Sequence, residues 1–393
     1  MRVHEGAGSR PAPLKSWIEI SDERLKENFR TVAEAAGAET QVLAVVKANA
    51  YGHGADPCAV ALARAGARWF GVADAREGAR VRRALDAAGF VDAGILVMLG
   101  LMPTDVAAIA EHRLTPVVWT AAQVKLLAGT GARVHVEVDT GMGRQGARPG
   151  AEVDAVLDAI GAAGLALDGA MTHFCAAEVV GSEKTREQER QFAVTVAQVR
   201  AKGLAPQWVH AGSSSSVDDP AREATWLAEL ARSVGARAMV RCGIALYGYC
   251  LPIEGAGAAE SKIRAALKPV MTWKTRVLDV REMAAGETVG YNATFTAPGP
   301  MRLALLPVGY ADGLRRELAS TNAKAGGWVM VRGQRAPIVG RVSMNLTMVD
   351  VSGIDGVRVG DEVVVLGDGA TADDHARIAG TISYEILCGV RAG

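Results

Sequence analysis

A lysine that directly follows a short apolar run is the first residue of this sequence that could carry unusual chemistry. Lys47 follows the apolar residues 42–46, a pattern that predicts a strand with an amine at its carboxyl end. In a barrel of parallel strands, this end carries the catalytic groups. A half-buried amine has a lowered pKa and can form a Schiff base with an aldehyde cofactor. A strand-end lysine is also commonly an ordinary surface residue; the polar side chains of Asn49, Tyr51 and His53 favour the functional interpretation.

Two further apolar runs end in residues that suit ligand binding or proton transfer. In EVDTGMGRQG (137–146), glycines would let the backbone approach a ligand while Arg144 grips a carboxylate or phenolate oxygen. A tight turn with a solvated arginine explains the same residues. In MTHF (171–174), His173 could act as an acid or base, or be a satisfied core histidine.

A candidate phosphate cradle follows the next two runs. HAGSSSS (210–216) supplies hydroxyl and backbone donors near a predicted helix start, where barrels commonly bind phosphate. In VRCGIALYG (240–248), the amides of Gly243 and Ile244 could complete the cradle, and Arg241 would point into the barrel mouth. The alternatives are a flexible serine loop and a structural arginine paired with a carboxylate.

Glycines and tyrosines are concentrated near predicted strand ends in the last third of the chain. The segments are GETVGYNATF (286–295), LPVGYADGL (306–314), VGRVSMNLTMVD (339–350) and TISYEI (381–386). Turns between strands would explain the glycines. They would not explain so many tyrosines in a chain that has 6.

The elements that must position these residues are predicted by hydrophobic patterning. Eight apolar runs alternate with Ala-rich amphipathic stretches, at 42–46, 69–73, 94–99, 116–119, 133–138, 166–171, 207–211 and 238–243. This alternation is typical of an α/β fold, a (β/α)₈ barrel of the TIM type. An open doubly wound sheet would normally carry a glycine fingerprint after its first strand, and none is present.

The pattern changes after about residue 255, where GAGAAES (255–261) is a plausible linker. Short β-branched runs then alternate with Gly, Pro and Asp turns, which predicts a mostly β domain. We therefore expect a disordered lead over residues 1–16, a barrel over 17–258 and a C-terminal β domain over 259–393.

Composition limits the classes of partner. Lys and Arg total 43 and Asp and Glu total 43, so no global charge favours nucleic acid or an anionic membrane. The 5 cysteines form no CxxC pair, which argues against a disulfide framework or a metal site and favours reduced thiols in a cytoplasmic protein. No apolar run is long enough to predict a membrane span.

Taken together, these segments resemble the alanine racemase family over roughly residues 15–390, with eight collinear motifs. The resemblance implies a pyridoxal 5′-phosphate (PLP) enzyme of fold type III that interconverts L- and D-alanine and supplies D-alanine for peptidoglycan. It also implies a head-to-tail homodimer, in which each active site takes residues from the partner's β domain.

The resemblance implies roles for single residues. Lys47 resembles the lysine that holds PLP and serves as one base, and Tyr291 resembles the opposite base, supplied by the other subunit. Arg241 resembles the arginine that faces the pyridine nitrogen. His173 resembles the histidine that bonds the catalytic tyrosine and tunes its pKa.

Substrate and phosphate contacts follow in the same way. Arg144 resembles the arginine that contacts the cofactor phenolate and the substrate carboxylate, to which the Met344 amide also donates from the other subunit. The residues that match the phosphate-binding set are Tyr51, Ser214, Gly243, Ile244 and Tyr384. The residues that match the entrance channel are Glu178, Tyr310, Arg316 and Arg341.

Three positions depart from the family pattern. Glu137 stands where many members carry a carbamylated lysine, and its carboxylate would give Arg144 the same negative partner. Asn345 and Glu178 stand where the family has aspartates, both near the substrate entrance.

Three other activities fit parts of the sequence. A broad-specificity racemase normally has a secretion signal and departs from DTGMGR in its fifth-strand loop. A PLP-dependent decarboxylase normally has a Cys–Asp pair where this chain has VSMNLTMVD. A non-catalytic PLP-binding homeostasis protein is a single barrel, which would leave residues 259–393 unexplained.

Overall fold

The computed structural model describes most of the chain, namely residues 2–4, 15–219, 225–255 and 261–391. Residues 1 and 5–14 of the predicted lead lie outside the described residues, as do residues 256–260 of the predicted linker. None of the helices in the described ranges is long and apolar enough to cross a bilayer.

The chain divides into two compact units. The barrel unit comprises Leu25–Ala50 and Ala55–Lys268. The C-terminal unit comprises the chain up to Arg24, the short piece Tyr51–Gly54, and the chain from Pro269 onward.

Two strands precede the barrel in the chain, β1 (Arg2–His4) and β2 (Ser16–Ile20). They pair in parallel, and β2 pairs antiparallel with Met271–Arg276 of the C-terminal unit. The sequence pattern predicts a disordered lead over residues 1–16 and assigns residues 17–24 to the barrel, whereas the structure has strands at Arg2–His4 and Ser16–Ile20. In the structure, Ile18 and Ile20 are fully buried within the C-terminal unit.

Eight parallel strands of the barrel unit close on themselves, because the last strand pairs with the first. Their bounds are β3 (Thr40–Val45), β4 (Trp69–Val72), β5 (Gly94–Val97), β6 (Thr115–Val118), β7 (Arg133–Glu137), β8 (Ala166–Met171), β9 (Trp208–His210) and β10 (Arg237–Cys242). Each matches one of the eight predicted apolar runs. The predicted (β/α)₈ barrel is therefore confirmed.

One helix precedes the first barrel strand, and the others occupy the connections between barrel strands. Their bounds are Asp22–Ala36, Ala55–Ala65, Ala75–Ala87, Val106–Glu111, Ala121–Leu126, Ala151–Ala162, Glu183–Ala201, Ser214–Asp218 and Thr225–Ser233. Side-chain caps set several starts: Asp74 accepts from the Glu77 N–H, and Thr120 accepts from the Gln123 N–H.

The barrel interior is partly polar. The Trp69 ring on β4 lies 5.5 Å from the His135 ring on β7 and 5.7 Å from the Trp208 ring on β9. These strands are not neighbours, so the contacts cross the interior. Gly169 on β8 makes room, because a Cβ there would lie 2.6 Å from the His135 ring.

The C-terminal unit is mostly β, as predicted, and its strands pair mainly in the antiparallel direction. Their bounds are β11 (Met271–Arg276), β12 (Asp279–Met283), β13 (Thr288–Val289), β14 (Phe295–Thr296), β15 (Met301–Leu306), β16 (Trp328–Val331), β17 (Gln334–Pro337), β18 (Thr347–Asp350) and β19 (Glu362–Leu366). The largest sheet has the order β1-β2-β11-β19-β16-β17, a second has β12-β15-β18, and β13 pairs with β14.

Two helices end this unit, Ala372–Ala379 and Ser383–Gly389. The prediction that TISYEI lies near a strand end is wrong, because Tyr384 lies on the second helix. The first helix begins at a Thr371 capping box and ends at Gly380, whose left-handed conformation breaks the helix and lets the next one start.

We expect Ile18→Ala to destabilise the C-terminal unit by about 2–5 kcal/mol, because it empties a fully buried site between strands. Urea unfolding would measure the change. The matched control is Val359→Ala at a position that is 63% exposed, where we expect a change within about 0.5 kcal/mol. Equal effects of the two substitutions would contradict the assignment of β2 to this core.

Candidate active site

Lys47 lies directly after β3, half buried, at the carboxyl end of the barrel. The Val46 N–H donates to the Gly71 carbonyl at 2.8 Å, and the Tyr247 hydroxyl donates to the Val45 carbonyl at 3.0 Å. These bonds fix the last residues of the strand. The amine of Lys47 is therefore presented from a rigid element, as the strand pattern predicted.

The backbone after Lys47 makes a left-handed turn. Residues Ala48, Asn49, Ala50 and Tyr51 have φ values of 51°, 54°, 55° and 50°. Left-handed conformation costs a non-glycine residue about 1–2 kcal/mol, and such strain is concentrated at functional sites. The residue types in this loop do not predict the turn, since none of the four is a glycine.

Hydrogen bonds to Glu77, on the helix Ala75–Ala87, and one within the segment itself hold this turn. The Asn49 N–H donates to Glu77 Oε1 at 2.7 Å, and the Ala73 N–H donates to Glu77 Oε2 at 2.9 Å. The Ala55 N–H donates to the Asn49 side-chain oxygen at 2.9 Å. Sequence reasoning missed Glu77, although its place in the first turn after the Asp74 cap gave a signal.

Arg241 is a buried cation whose three partners all accept hydrogen bonds. Its Nη2 donates to the Thr172 carbonyl at 2.6 Å and to His173 Nδ1 at 3.0 Å, and its Nη1 donates to His210 Nδ1 at 3.2 Å. Burial lowers the pKa of Arg241 to about 10, opposed by the charge of Glu137. The guanidinium therefore keeps its charge at neutral pH.

His173 is neutral in this environment. Burial, followed by the charges of Arg241, Arg144 and Lys47, lowers its pKa to about 3. Because arginine has no acceptor, Nδ1 must carry the lone pair and Nε2 the proton. The charges of Lys47, Arg144 and Arg241 thus all disfavour protonation of the His173 imidazole. These four residues all belong to the predicted site.

The loop after β7 is held by a carboxylate. Asp139 Oδ1 accepts from the N–H groups of Gly141, Met142 and Gly143 at 3.0, 2.8 and 3.0 Å. Partial burial opposes ionisation, but these three bonds outweigh it and lower the pKa of Asp139. This anchor fixes the start of the loop that carries Arg144.

Glu137 has a different partner from the one expected. Gln145 Nε2 donates to Glu137 Oε2 at 2.5 Å, and no ion pair joins Glu137 to Arg144, whose side chain is exposed. Gly146 has a φ of 115° and packs against the Asp139 backbone, so the chain turns Gln145 inward. Burial raises the pKa of Glu137, against the Gln145 bond and the charges of Arg241 and Arg144.

The predicted phosphate cradle has the donors that an anion needs. Ser214 Oγ accepts from the N–H groups of Gly243 and Ala245, both at 3.2 Å, which leaves its own hydrogen to donate. Among the described residues, nothing accepts from the buried N–H of Ile244, which begins a short 3-10 turn. The Ser214 hydroxyl lies after the end of β9, and the Ile244 N–H lies after the end of β10.

The predicted residues of the C-terminal unit form two loop clusters and an aromatic pair. The N–H groups of Tyr310 and Ala311 donate to the carbonyls of Ser343 and Met344 at 3.0 and 2.9 Å. The turn at Gly290, before Tyr291, packs against the Arg341 backbone. The side chain of Tyr291 is 65% exposed and that of Met344 is 55% exposed.

Tyr51 and Tyr384 form the aromatic pair, with ring centroids 5.9 Å apart in an edge-to-face arrangement. Of the remaining predicted channel residues, Arg316 lines the same cavity as Tyr310. Arg316 is exposed, and the Glu178 carbonyl accepts from the Glu254 N–H at 2.8 Å in the barrel unit. Asn345 is exposed beside Met344.

We expect Ala48→Gly to stabilise the barrel unit by up to about 1 kcal/mol, because it relieves left-handed strain at an exposed position. The matched control, Ala197→Gly, lies at an exposed position inside a right-handed helix and should cost about 1 kcal/mol. Urea unfolding would measure both. Destabilisation by both substitutions would contradict a strained turn.

The histidine pKa values predict a loss of stability in mild acid. The pKa of His173 is lowered from 6.5 to about 3, so between these values the unfolded chain binds a proton that the folded chain does not. The free energy of unfolding should therefore fall as pH drops from about 6.5. His173→Gln should reduce this slope by up to about 1.4 kcal/mol per pH unit. Parallel stability curves for the two proteins would exclude this contribution.

Comparison with known proteins matches most of the chain to one family. The family model of the alanine racemase N-terminal domain matches residues 20–251, and that of the alanine racemase C-terminal domain matches residues 270–393. The chain is similar to the alanine racemase of Syntrophobacter fumaroxidans, with 35% identity over 386 residues that cover 95% of each protein.

Solved structures agree. The alanine racemase from Streptomyces coelicolor has a TM-score of 0.82 and 32% identity, covering 96% of each chain. An alanine racemase from Bartonella henselae, described with covalently bound pyridoxal phosphate, has a TM-score of 0.78 and 26% identity, covering 96% of this chain and 98% of that one. The resemblance seen in the motifs is confirmed: this chain belongs to the alanine racemase family of isomerases.

Proposed function

We propose that this chain interconverts L- and D-alanine, with PLP attached to Lys47 and with Lys47 and Tyr291 as bases on opposite faces of the substrate. The observation that carries the proposal is the placement of Lys47, His173 and Arg241 at the carboxyl ends of barrel strands, where Arg241 Nη2 donates to His173 Nδ1 at 3.0 Å. The charges of Lys47, Arg144 and Arg241 lower the pKa of this imidazole.

The barrel residues fit PLP by their chemistry. Ser214 has a hydroxyl hydrogen to donate, and Ile244 has a buried N–H, so both suit an anionic phosphate. We propose that Gly243, Tyr51 and Tyr384 complete the phosphate-binding set. When bound, PLP supplies the electron sink that makes the substrate Cα proton acidic.

Arg241 is proposed to face the pyridine nitrogen of the cofactor. A charged guanidinium has only donors, so it disfavours a proton on a nitrogen beside it. Arg241 donates hydrogen bonds to Thr172, His173 and His210, and these bonds fix the orientation of its guanidinium. An unprotonated ring is a weaker electron sink, which would suppress side reactions such as transamination.

The substrate carboxylate is proposed to bind Arg144 and the Met344 amide. Arg144 is exposed and Glu137 is bonded to Gln145, so the guanidinium is available for a carboxylate ligand. In place of the carbamylated lysine of many relatives, Gln145 and Glu137 form the support under this loop. Glu178, Tyr310, Arg316 and Arg341 are proposed to line the entrance channel.

Tyr291 is proposed to serve the active site of a second copy in a head-to-tail homodimer. Its ring is 65% exposed on its own chain, as are 55% of Met344 and 44% of Tyr310, so apolar residues of proposed function lie on an open face. A tyrosine hydroxyl is a poor base at neutral pH and needs a partner to act as one. His173, with Nε2 as a donor, is proposed to be that partner.

A cytoplasmic location stays a prediction from the cysteine pattern.

The test is racemisation by the purified protein with PLP. We expect loss of optical activity with either alanine enantiomer and little change with a panel of bulkier amino acids. Lys47→Ala should remove covalent PLP, detected by mass spectrometry after borohydride reduction, whereas the exposed control Lys125→Ala should retain it. Retention of covalent PLP in Lys47→Ala would refute the assignment.

Tyr291→Phe separates the two bases. It should keep covalent PLP and lose most turnover, at least about 100-fold, as expected when a positioned acid or base is removed. Solvent deuterium incorporation should fall more strongly from one enantiomer than from the other. Equal loss from both enantiomers would contradict one base per face, and wide turnover across the amino-acid panel would favour a broad-specificity racemase.

A further inference from the structure

Three buried polar side chains inside the barrel are not among the residues proposed to contact substrate or cofactor. His135 on β7, Asp168 on β8 and His210 on β9 have exposures of 0%, 2% and 0%. They lie between the buried Arg241 and Arg133, whose side chain is 49% exposed. Buried polar groups of this kind are costly unless every donor meets an acceptor.

The five side chains form one continuous series of hydrogen bonds. Arg241 Nη1 lies 3.2 Å from His210 Nδ1, and His210 Nε2 lies 2.7 Å from His135 Nδ1. His135 Nε2 lies 3.4 Å from Asp168 Oδ2, and Asp168 Oδ1 accepts from Arg133 Nη2. Every ring nitrogen of the two histidines is used.

The donor–acceptor direction of these bonds is set by Arg241 at one end and by Asp168 at the other. Arg241 can only donate, so His210 Nδ1 must accept and His210 Nε2 must carry the proton. An ionised Asp168 can only accept, so His135 Nε2 must carry the proton and His135 Nδ1 must accept from His210. Both ends therefore require the same tautomer in both rings.

The charges of the groups agree with this direction. Burial, with the charges of His135 and Arg241, lowers the pKa of His210 well below its usual value. Burial also lowers the pKa of His135, against its bond to Asp168. Burial opposes ionisation of Asp168, but its bonds from His135 and Arg133 lower its pKa overall. Two neutral rings thus lie between an anion and a cation.

We propose that Asp168, acting through His135 and His210, is a positioning residue that sets the orientation of Arg241 from the far side of the barrel interior. If the histidine bonds ran the other way, an N–H of His210 would oppose an N–H of Arg241. The importance of Arg241 for the cofactor rests on the proposed function; the direction of the bonds does not.

Packing makes an alternative arrangement costly. The His135 ring lies 4.9 Å from the His210 ring, edge to face, and 5.5 Å from the Trp69 ring. Gly169 lies against its other side, where a Cβ would come within 2.6 Å of the ring. The ring can exchange protons between its nitrogens but has little room to turn.

The direct test is the histidine tautomers of the holoenzyme, read from ¹⁵N shifts after selective labelling of the 7 histidines. We expect His135 and His210 both to be neutral with the proton on Nε2. A proton on Nδ1 of either ring in the unmodified holoenzyme would overturn the proposal, without any substitution that could perturb folding.

Asp168→Asn should reverse the direction. Arg133 would keep the single amide oxygen, and the amide NH₂ would face His135 Nε2, which would then have to accept. Both rings should switch to Nδ1–H. Adding Arg133→Leu should restore the original tautomers, because the amide oxygen can then turn to His135. Asp158→Asn, at an exposed aspartate, is the matched control and should change neither ring.

The enzymatic readout is the split between racemisation and side reaction. For Asp168→Asn, we expect kcat to fall about 10- to 100-fold, the range seen for outer partners of metal ligands, and the transaminated fraction to rise. The double variant should recover both. Unchanged tautomers in Asp168→Asn would overturn the proposal. Switched tautomers with unchanged kcat and side-product fraction would refute the effect on Arg241, whereas an inactive parent enzyme with the expected tautomers would refute only the proposed function.

Discussion

The burial of one permanent cation governs the polar interior of this barrel. Arg241 lies at the end of β10 with only 5% of its surface exposed, and it must satisfy its donors within the protein. It does so with a carbonyl and two histidines, which are thereby kept neutral and confined to one tautomer. Leaving such a charge without partners would cost several kcal/mol. A charged Arg241 therefore requires acceptors at His173 and His210.

The same cation connects chemistry to architecture. His173 faces the candidate site, and its Nε2 proton is available because Nδ1 accepts from Arg241. His210 faces the interior, where the same donor–acceptor direction continues through His135 to Asp168, away from the candidate site. A barrel can hold such a series because side chains from alternate strands, here His135 on β7 and His210 on β9, meet in its interior. The polar interior of this barrel is thus part of the support for its catalytic end.

The backbone that follows Lys47 is strained. A left-handed turn of non-glycine residues redirects the chain immediately after the lysine, and Glu77 holds the turn from the start of the helix Ala75–Ala87. The rigid strand before it and the strained turn after it leave the backbone of Lys47 little freedom. Catalytic groups gain from such preorganisation, because orientation is fixed before the substrate binds.

The sequence by itself determined the eight barrel strands, the β character of the second unit and the strand-end positions of Lys47, His173 and Arg241. Those features depend on the periodic burial of apolar residues, which is written along the chain. Tertiary structure alone decided the turn after Lys47, the Glu137–Gln145 bond, the position of Tyr384 on a helix and the pairing of β2 with β11. Asn49 and Glu77 are 28 residues apart, and His135 and His210 are 75 residues apart. Bonds between residues so distant have no periodicity in the sequence, because they exist only once the barrel has brought the strand ends together.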